Sequence, residues 1–247
     1  MECYNEFADI YDELINGDVD YKLWSEKILD LCETMNINRR DYLDLACGTG
    51  NLTIHVGKKF TSTTAVDLSQ YMLTKAEEKL RAERIRAKLM CQNMCSFNLR
   101  KTFDLVTCAL DSTNYILKKE ELINYFKCVF NHLKDDGIFI FDINSEYKLL
   151  NILGNNVYNY DSEEVVYIWE NEVEEEVLNM YLTFFVKEGQ VYKRFDEHHK
   201  ERIYGERYLD SILHDIGFEI KKKFDNYISD EIKEETERIV YVLGKRK

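Results

Sequence analysis

Residues 42 to 51, Tyr-Leu-Asp-Leu-Ala-Cys-Gly-Thr-Gly-Asn, with Thr-Thr-Ala-Val-Asp at 63 to 67, leave this chain few folds to choose from. A short apolar run ending in an acid, a glycine-rich turn, a helical stretch and a second apolar run ending in an acid form a βαβ unit of the kind that holds a nucleoside. Gly48 and Gly50 let the backbone turn sharply and leave no Cβ between chain and ligand. The helix beyond them offers free N–H groups to an anionic part of that ligand. Asp67 is placed to accept hydrogen bonds from both hydroxyls of a ribose, with capping of the helix after Ser69 as its other reading. A dinucleotide fingerprint would put a third glycine at position 53, where this chain has Thr53. Asp44 would repel a pyrophosphate and suits a ligand that carries an ammonium group and a sulfonium.

The run from Asp44 to Gly50, Asp-Leu-Ala-Cys-Gly-Thr-Gly, resembles the first motif of the Rossmann-like, class I S-adenosylmethionine-dependent methyltransferases. The family often has glycine at the Ala46 position, and alanine is a tolerated departure there. The resemblance covers about residues 40 to 147 and 205 to 247, and it implies S-adenosyl-L-methionine as cofactor. It sets Asp44, Ala46, Gly48 and Gly50 against the methionine half of that molecule, with Cys47 packed inside the turn. It sets Leu68 and Met72 against the adenine. Cys91-Gln92-Asn93-Met94 matches the segment where the family often has an acid for the adenine amino group. Asn93 can accept the same bond, or is simply a polar strand end. Leu110-Asp111-Ser112-Thr113-Asn114-Tyr115 follows the fourth strand and faces the reacting end, with Asp111, Asn114 and Tyr115 as candidates for holding the acceptor. Tyr11 and Trp24 read either as core aromatics or as side chains that close over the cofactor.

The rest of the chain is organised around this unit. Phe7, Ile10, Tyr11 and Leu14, then Trp24, Ile28, Leu29 and Leu31, trace two helices within residues 1 to 38. From there strands and helices alternate, and the wholly apolar fourth strand, from Phe103 to Leu110, reads as central. Gly137 is read as the turn into a fifth strand, Ile138 to Ile143. Alternation predicts a parallel sheet with helices on both faces. Between about 155 and 204 the period changes to two, with Leu178, Met180, Leu182, Phe184 and Val186 on one face and a hairpin turn at Lys187 to Gln190. The expectation is an α/β fold with a Rossmann-like seven-stranded, mostly parallel sheet built from residues 1–147 and 205–247. An antiparallel β insert over 148–204 caps its acceptor side, and Tyr11, Trp24, Tyr167, Trp169 and Tyr181 suit the roof of a pocket.

Charge narrows the partners. Net charge is −13, with 46 acids against 33 bases, which opposes binding to a phosphate backbone. No apolar run approaches the roughly 20 residues of a membrane span, and the first residues, Met-Glu-Cys-Tyr-Asn-Glu, lack the basic and apolar parts of a leader. Seven cysteines without a Cys-x-x-Cys fit reduced thiols and a cytoplasmic setting. Cys91 and Cys95 read as core thiols, and no metal site is expected. His198 and His199 sit among acids, and strand alternation turns His199 the same way as Phe195. It is a candidate to take a proton from the acceptor, unless the segment is only a solvated strand face. The resulting expectation is methyl transfer to N or O of a small-molecule acceptor, with Asp111, Tyr115 and His199 as catalytic candidates. A non-catalytic cofactor-binding protein and a nicotinamide-dependent dehydrogenase are the alternatives.

Overall fold

Asp20 caps the helix α1 (Tyr21–Thr34), its Oδ1 accepting from Leu23 N at 2.9 Å, and the helix face of Trp24, Ile28 and Leu31 is buried. The structure, a computed structural model, describes Asp12 and residues 19 to 247. The expected first helix, with Tyr11, lies outside the described residues. Alternation follows as β1 (Asp41–Leu45), α2 (Asn51–Gly57), β2 (Ser62–Asp67), α3 (Gln70–Ala82), β3 (Ala87–Cys91), β4 (Phe103–Cys108), a 3₁₀ turn (Ser112–Tyr115), α4 (Lys119–His132) and β5 (Leu133–Asn144). A π-helical turn (Lys148–Leu153) leads into β6 (Val157–Asp161), β7 (Val165–Glu174), β8 (Val177–Glu188) and β9 (Val191–Arg202). The chain closes with α5 (Glu206–Ile216), β10 (Phe218–Asp225) and β11 (Arg238–Lys245).

Seven strands form one sheet in the order β10-β11-β5-β4-β1-β2-β3, and only β11 runs against its neighbours. Every residue of β4 is buried, as expected for a central strand with helices on both faces. One core layer packs α4 and α5 onto the sheet through Phe126, Phe139, Phe141, Leu209 and Leu213. The opposite layer packs α1 and α2 through Trp24, Ile28, Leu52 and Val56. Strand order reverses between β1 and β4, and the crevice at such a reversal, beyond the carboxyl ends of the strands, is where open sheets of this class take ligands. Because β11 is antiparallel, its first residue, Arg238, pairs with Asn144, the last of β5, and so lies at that same end.

The second sheet is a meander, β6-β7-β8-β9, turned at Gly189 with φ +68°. It holds four strands, and the segment from Lys148 to Leu153 before it is helical instead of extended. Gly137 departs from its expected role as a turn. It lies inside β5, beside an irregularity in the β4–β5 register, where a Cβ would stand 2.8 Å from Phe103 O and 2.9 Å from Asp104 O. Glycine is needed there for close approach of two backbones. Among the described residues no helix is long and apolar enough to cross a membrane.

Candidate active site

The glycine turn departs from β1 with Ala46 at φ +51°, Gly48 at φ +54° and Gly50 at φ +81°. A Cβ on Gly48 would meet nothing within 4 Å, whereas one on Gly50 would stand 3.2 Å from Ala76 Cβ, so Gly50 lets α2 and α3 pack closely. Ala46 occupies a left-handed conformation that costs a residue with a Cβ about 1–2 kcal/mol. Two carboxylates frame the turn. Asp67 Oδ2 accepts from Gly48 N and its Oδ1 from Ser69 N, both at 2.8 Å. Burial pushes the Asp67 carboxyl upward, against those backbone bonds. Asp44 is buried, with Oδ2 accepting from Thr53 Oγ1 at 2.5 Å and Oδ1 from Thr107 Oγ1 at 2.8 Å. Burial outweighs these donors and pushes the Asp44 carboxyl up to about 6. Thr53, which stands where a dinucleotide fingerprint has glycine, thus holds Asp44 in place.

The start of α2 is tied to the amino-terminal segment. Asp12 Oδ1 accepts from Thr49 Oγ1 at 2.7 Å and Asn51 Nδ2 at 3.0 Å, and its Oδ2 lies 2.5 Å from Lys79 Nζ. Burial opposes ionisation, but Lys79, Thr49 and Asn51 together hold the Asp12 carboxyl below its ordinary value.

Beyond β4 the chain turns through two left-handed residues, Leu110 (φ +58°) and Asp111 (φ +49°). Asp142, fully buried on β5, fixes this turn by accepting from Leu110 N at 2.9 Å and Asp111 N at 2.7 Å. Asp142 also accepts from Tyr227 Oη at 2.8 Å and from the Arg238 guanidinium. Arg238 reaches Asp111 Oδ1 at 2.7 Å and Asn144 Oδ1 at 3.3 Å. The Asp111 carboxylate is therefore committed to an ion pair. Asn114 is not an acceptor contact: it is fully buried, its Nδ2 donating to Asn144 O and Arg202 O at 3.3 and 3.1 Å and its Oδ1 accepting from Asn144 N at 3.1 Å. It locks β5, the 3₁₀ turn and β9 together.

The second sheet brings three further groups to the same opening. His199 and Glu201 stand two apart on β9 and are 6% and 3% exposed, so the strand face is buried rather than solvated. His199 lies edge-on to Tyr115, ring centroids 6.1 Å apart, and burial pushes its imidazole down to about 4. Glu201 Oε2 accepts from Asn144 Nδ2 at 2.9 Å. Burial and the nearby Asp111 push its carboxyl up to about 8. Trp169 on β7 buries an indole Nε1–H that has no partner among the described residues.

These groups line one cleft of about 1520 Å³. Its wall takes Asp44, Ala46, Cys47, Gly48, Asp67, Leu68 and Met72 from the turn side, and Asn93 and Met94 after β3. Leu110, Asp111 and Tyr115 come from beyond β4, and Trp169, His199 and Glu201 from the second sheet. Trp24 is a core aromatic, stacked on Tyr227 at 4.5 Å beneath the Arg238 guanidinium at 5.3 Å, and one side of it lines the cleft. Gly50 stands behind the wall. Tyr167 and Tyr181 do not reach it: Tyr181 is exposed and stacks on His198 at 4.4 Å. Cys91 is exposed rather than a core thiol, because β3 is an edge strand, and no group of His, Cys, Asp and Glu among the described residues is arranged to hold a metal ion. Arg238, Asp142, Glu201, Lys148 and Trp169 complete the site without a local sequence motif.

Residues 43–137 match the model of a methyltransferase domain. The chain is 51% identical, with a TM-score of 0.94 and 99% of each chain covered, to the crystal structure of an S-adenosylmethionine-dependent methyltransferase from Clostridium acetobutylicum ATCC 824. It is 30% identical over 246 residues to "Putative methyltransferase YqeM" of Bacillus subtilis (strain 168), covering 99% of this chain and 98% of that one. It is also 32% identical over 136 residues to a dTDP-3-amino-3,4,6-trideoxy-alpha-D-glucopyranose N,N-dimethyltransferase of Streptomyces venezuelae, covering 55% and 56% of the two chains.

Proposed function

Because the chain belongs to the class I S-adenosylmethionine-dependent methyltransferases, we propose that it methylates the amine nitrogen of a small molecule held between the glycine turn and the second sheet. One observation carries this reading. The cleft is continuous from the turn to β9, and among the described residues nine acidic side chains line it against three basic ones, Lys148, Lys200 and Arg238. Such a wall favours cationic ligands and disfavours phosphate-rich ones. The similarity to an amino-sugar N,N-dimethyltransferase supports a nitrogen acceptor.

The residues present fit the cofactor. Gly48 opens toward free space, Asp67 presents a carboxylate at the rim beside it, and Asp44 is a buried acid without a basic partner among its hydrogen-bond donors. S-adenosylmethionine, when bound, supplies a methyl group already activated by a positive sulfur. Asp67 would hold the ribose hydroxyls, Leu68 and Met72 the adenine face, and Asp44 would balance the ligand's positive charge. A cation beside Asp44 favours its ionised form and returns its carboxyl toward the ordinary range. Arg238 and Asp142 keep the Leu110–Asp111 turn rigid, so the acceptor meets a fixed wall, and alignment with exclusion of water supplies the rate. Trp169 adds an aromatic wall to the acceptor side of the cleft.

The test is incubation with methyl-labelled cofactor and a library of amines and matched alcohols, read by mass spectrometry. Label on amine nitrogen is expected. Label confined to hydroxyl groups, or to added RNA, would refute the reading.

A further inference from the structure

Two groups on β9 look into the acceptor half of the cleft, and the structure separates their chemistry. His199 is buried, lies 3.7 Å from Glu197 through Nε2, and is pushed down to about 4 by desolvation and the neighbouring His198. An imidazole of that strength cannot take a proton from an alkylammonium, whose ordinary value is about 10. Glu201 is different. It is more deeply buried, it lines the cleft, and its Oε2 is held by the Asn144 amide at 2.9 Å. Among the described residues no ion pair engages it. The strong cation beside it, Arg238, is committed to Asp142, Asp111 and Asn144.

We propose that Glu201 is the catalytic residue that pairs with the acceptor's ammonium group and takes one proton from it before transfer. The proposal rests on the amine reading above. The balance is R–NH₃⁺ with Glu201 carboxylate giving R–NH₂ with Glu201 carboxylic acid. The freed nitrogen lone pair then forms the N–C bond as the C–S bond breaks, its electron pair remaining on sulfur. The positive charge passes from sulfur to the methylated nitrogen, and the Glu201 proton leaves to solvent on product release.

The surroundings favour this division of labour. From the turn beyond β4, Asp111 disfavours a second negative charge; from the π-helical turn and β11, Lys148 and Arg238 favour one; from β9, His199 stays neutral. Lys148 is itself pushed down by burial and by Arg238, with Asp111, Glu201 and Glu237 opposing, which weakens it as a competing partner. With its carboxyl pushed up to about 8, Glu201 is a far closer match to an ammonium than an ordinary glutamate near 4.3. The narrower gap reduces the free energy needed to move the proton. Asn144 holds the Glu201 carboxyl through Oε2, which fixes its orientation before an acceptor arrives.

The experiment has two readouts. Carbon-13 NMR of glutamate carboxyl groups, with saturating S-adenosylhomocysteine and with E201Q as the assignment control, follows the titration of Glu201. Amino sugars and simple primary amines should lower its midpoint by at least one pH unit, and the matched hydroxyl compounds should leave it unmoved. With any amine that is turned over, E201Q should lower kcat by about 10²–10⁴-fold and shift the acidic limb of its pH profile upward toward the amine's own value, while affinity for S-adenosylhomocysteine is retained. E201D should recover part of the rate. A midpoint unmoved by the whole amine set, or E201Q turning over an amine within twofold of the unmodified protein, overturns the proposal and leaves the amine reading intact. Methylation confined to hydroxyl compounds removes the amine reading itself.

Discussion

Asp67→Ala removes an acceptor that Gly48 N and Ser69 N both use at 2.8 Å, and on the proposed reading the one that the ribose hydroxyls use as well. The first loss is one of stability. Two backbone donors at the rim of the cleft lose a charged acceptor, and water entering the open cleft replaces part of it, so the cost is about 1–3 kcal/mol. The second loss is one of affinity. Hydrogen bonds to a charged group contribute about 1.5–3 kcal/mol, which weakens cofactor binding roughly 10- to 100-fold. Linkage joins the two. At 100 times the dissociation constant of the unmodified protein, S-adenosylhomocysteine should stabilise that protein by about 2.7 kcal/mol. At the same concentration it should stabilise the variant by only about 0.4–1.4 kcal/mol. Urea denaturation with and without the ligand, paired with calorimetric titration, measures both quantities. Asp67→Asn keeps an acceptor oxygen and should lose less of each. A folded Asp67→Ala protein with unchanged affinity would refute the argument and leave Asp67 as a clamp on the turn alone.

Asp142→Asn leaves the buried Arg238 guanidinium and the Leu110–Asp111 turn without their shared anion, and should destabilise the fold by about 3–5 kcal/mol; a cost under about 1 kcal/mol by urea titration would show that the network is dispensable. Ala46→Gly relieves the left-handed residue of the turn and should stabilise by about 1 kcal/mol, the strain relieved outweighing the added freedom of the unfolded chain; a drop in thermal stability would contradict this. His199 keeps a neutral ring in the fold down to about 4, against 6.5 for a free histidine. Its contribution is therefore fully present above about pH 6.5 and is lost as pH falls toward 4, by up to about 3 kcal/mol. The stability difference between the unmodified protein and His199→Gln should follow that window, and a difference that is flat in pH would refute the assignment.

The α/β alternation, the seven-stranded sheet and the glycine turn were legible because each rests on local periodicity or on residues within one βαβ unit. Asp44 and Asp67 flank the turn because they belong to that same unit. What escaped was written over long separations. Arg238 meets Asp111 across 127 residues and Asp142 across 96, and nothing in the run Glu237-Arg238-Ile239 marks it as the centre of a buried network. Glu201 looked like one of several acids on a polar strand, because alternation reports which residues share a face and not what covers that face. Asn114 was misplaced for the complementary reason. A polar run after a central strand does face the cleft, but Asn114 turns inward to satisfy backbone groups of Asn144 and Arg202 that would otherwise be buried unpaired. Gly137 looked like a turn because glycine at a strand's edge of pattern usually is one, whereas here it makes room for the carbonyls of β4.

The central claim is that the glycine turn and the second sheet serve one site. Hydrogen exchange with and without S-adenosylhomocysteine tests it most directly, since ligand contact slows exchange in segments that otherwise open locally. The account predicts slower exchange at residues 46–50 and 67–72 together with 148–153 and 198–202. Slowing confined to the turn and the ends of the parallel strands, with both segments of the second sheet's side unchanged, would contradict it.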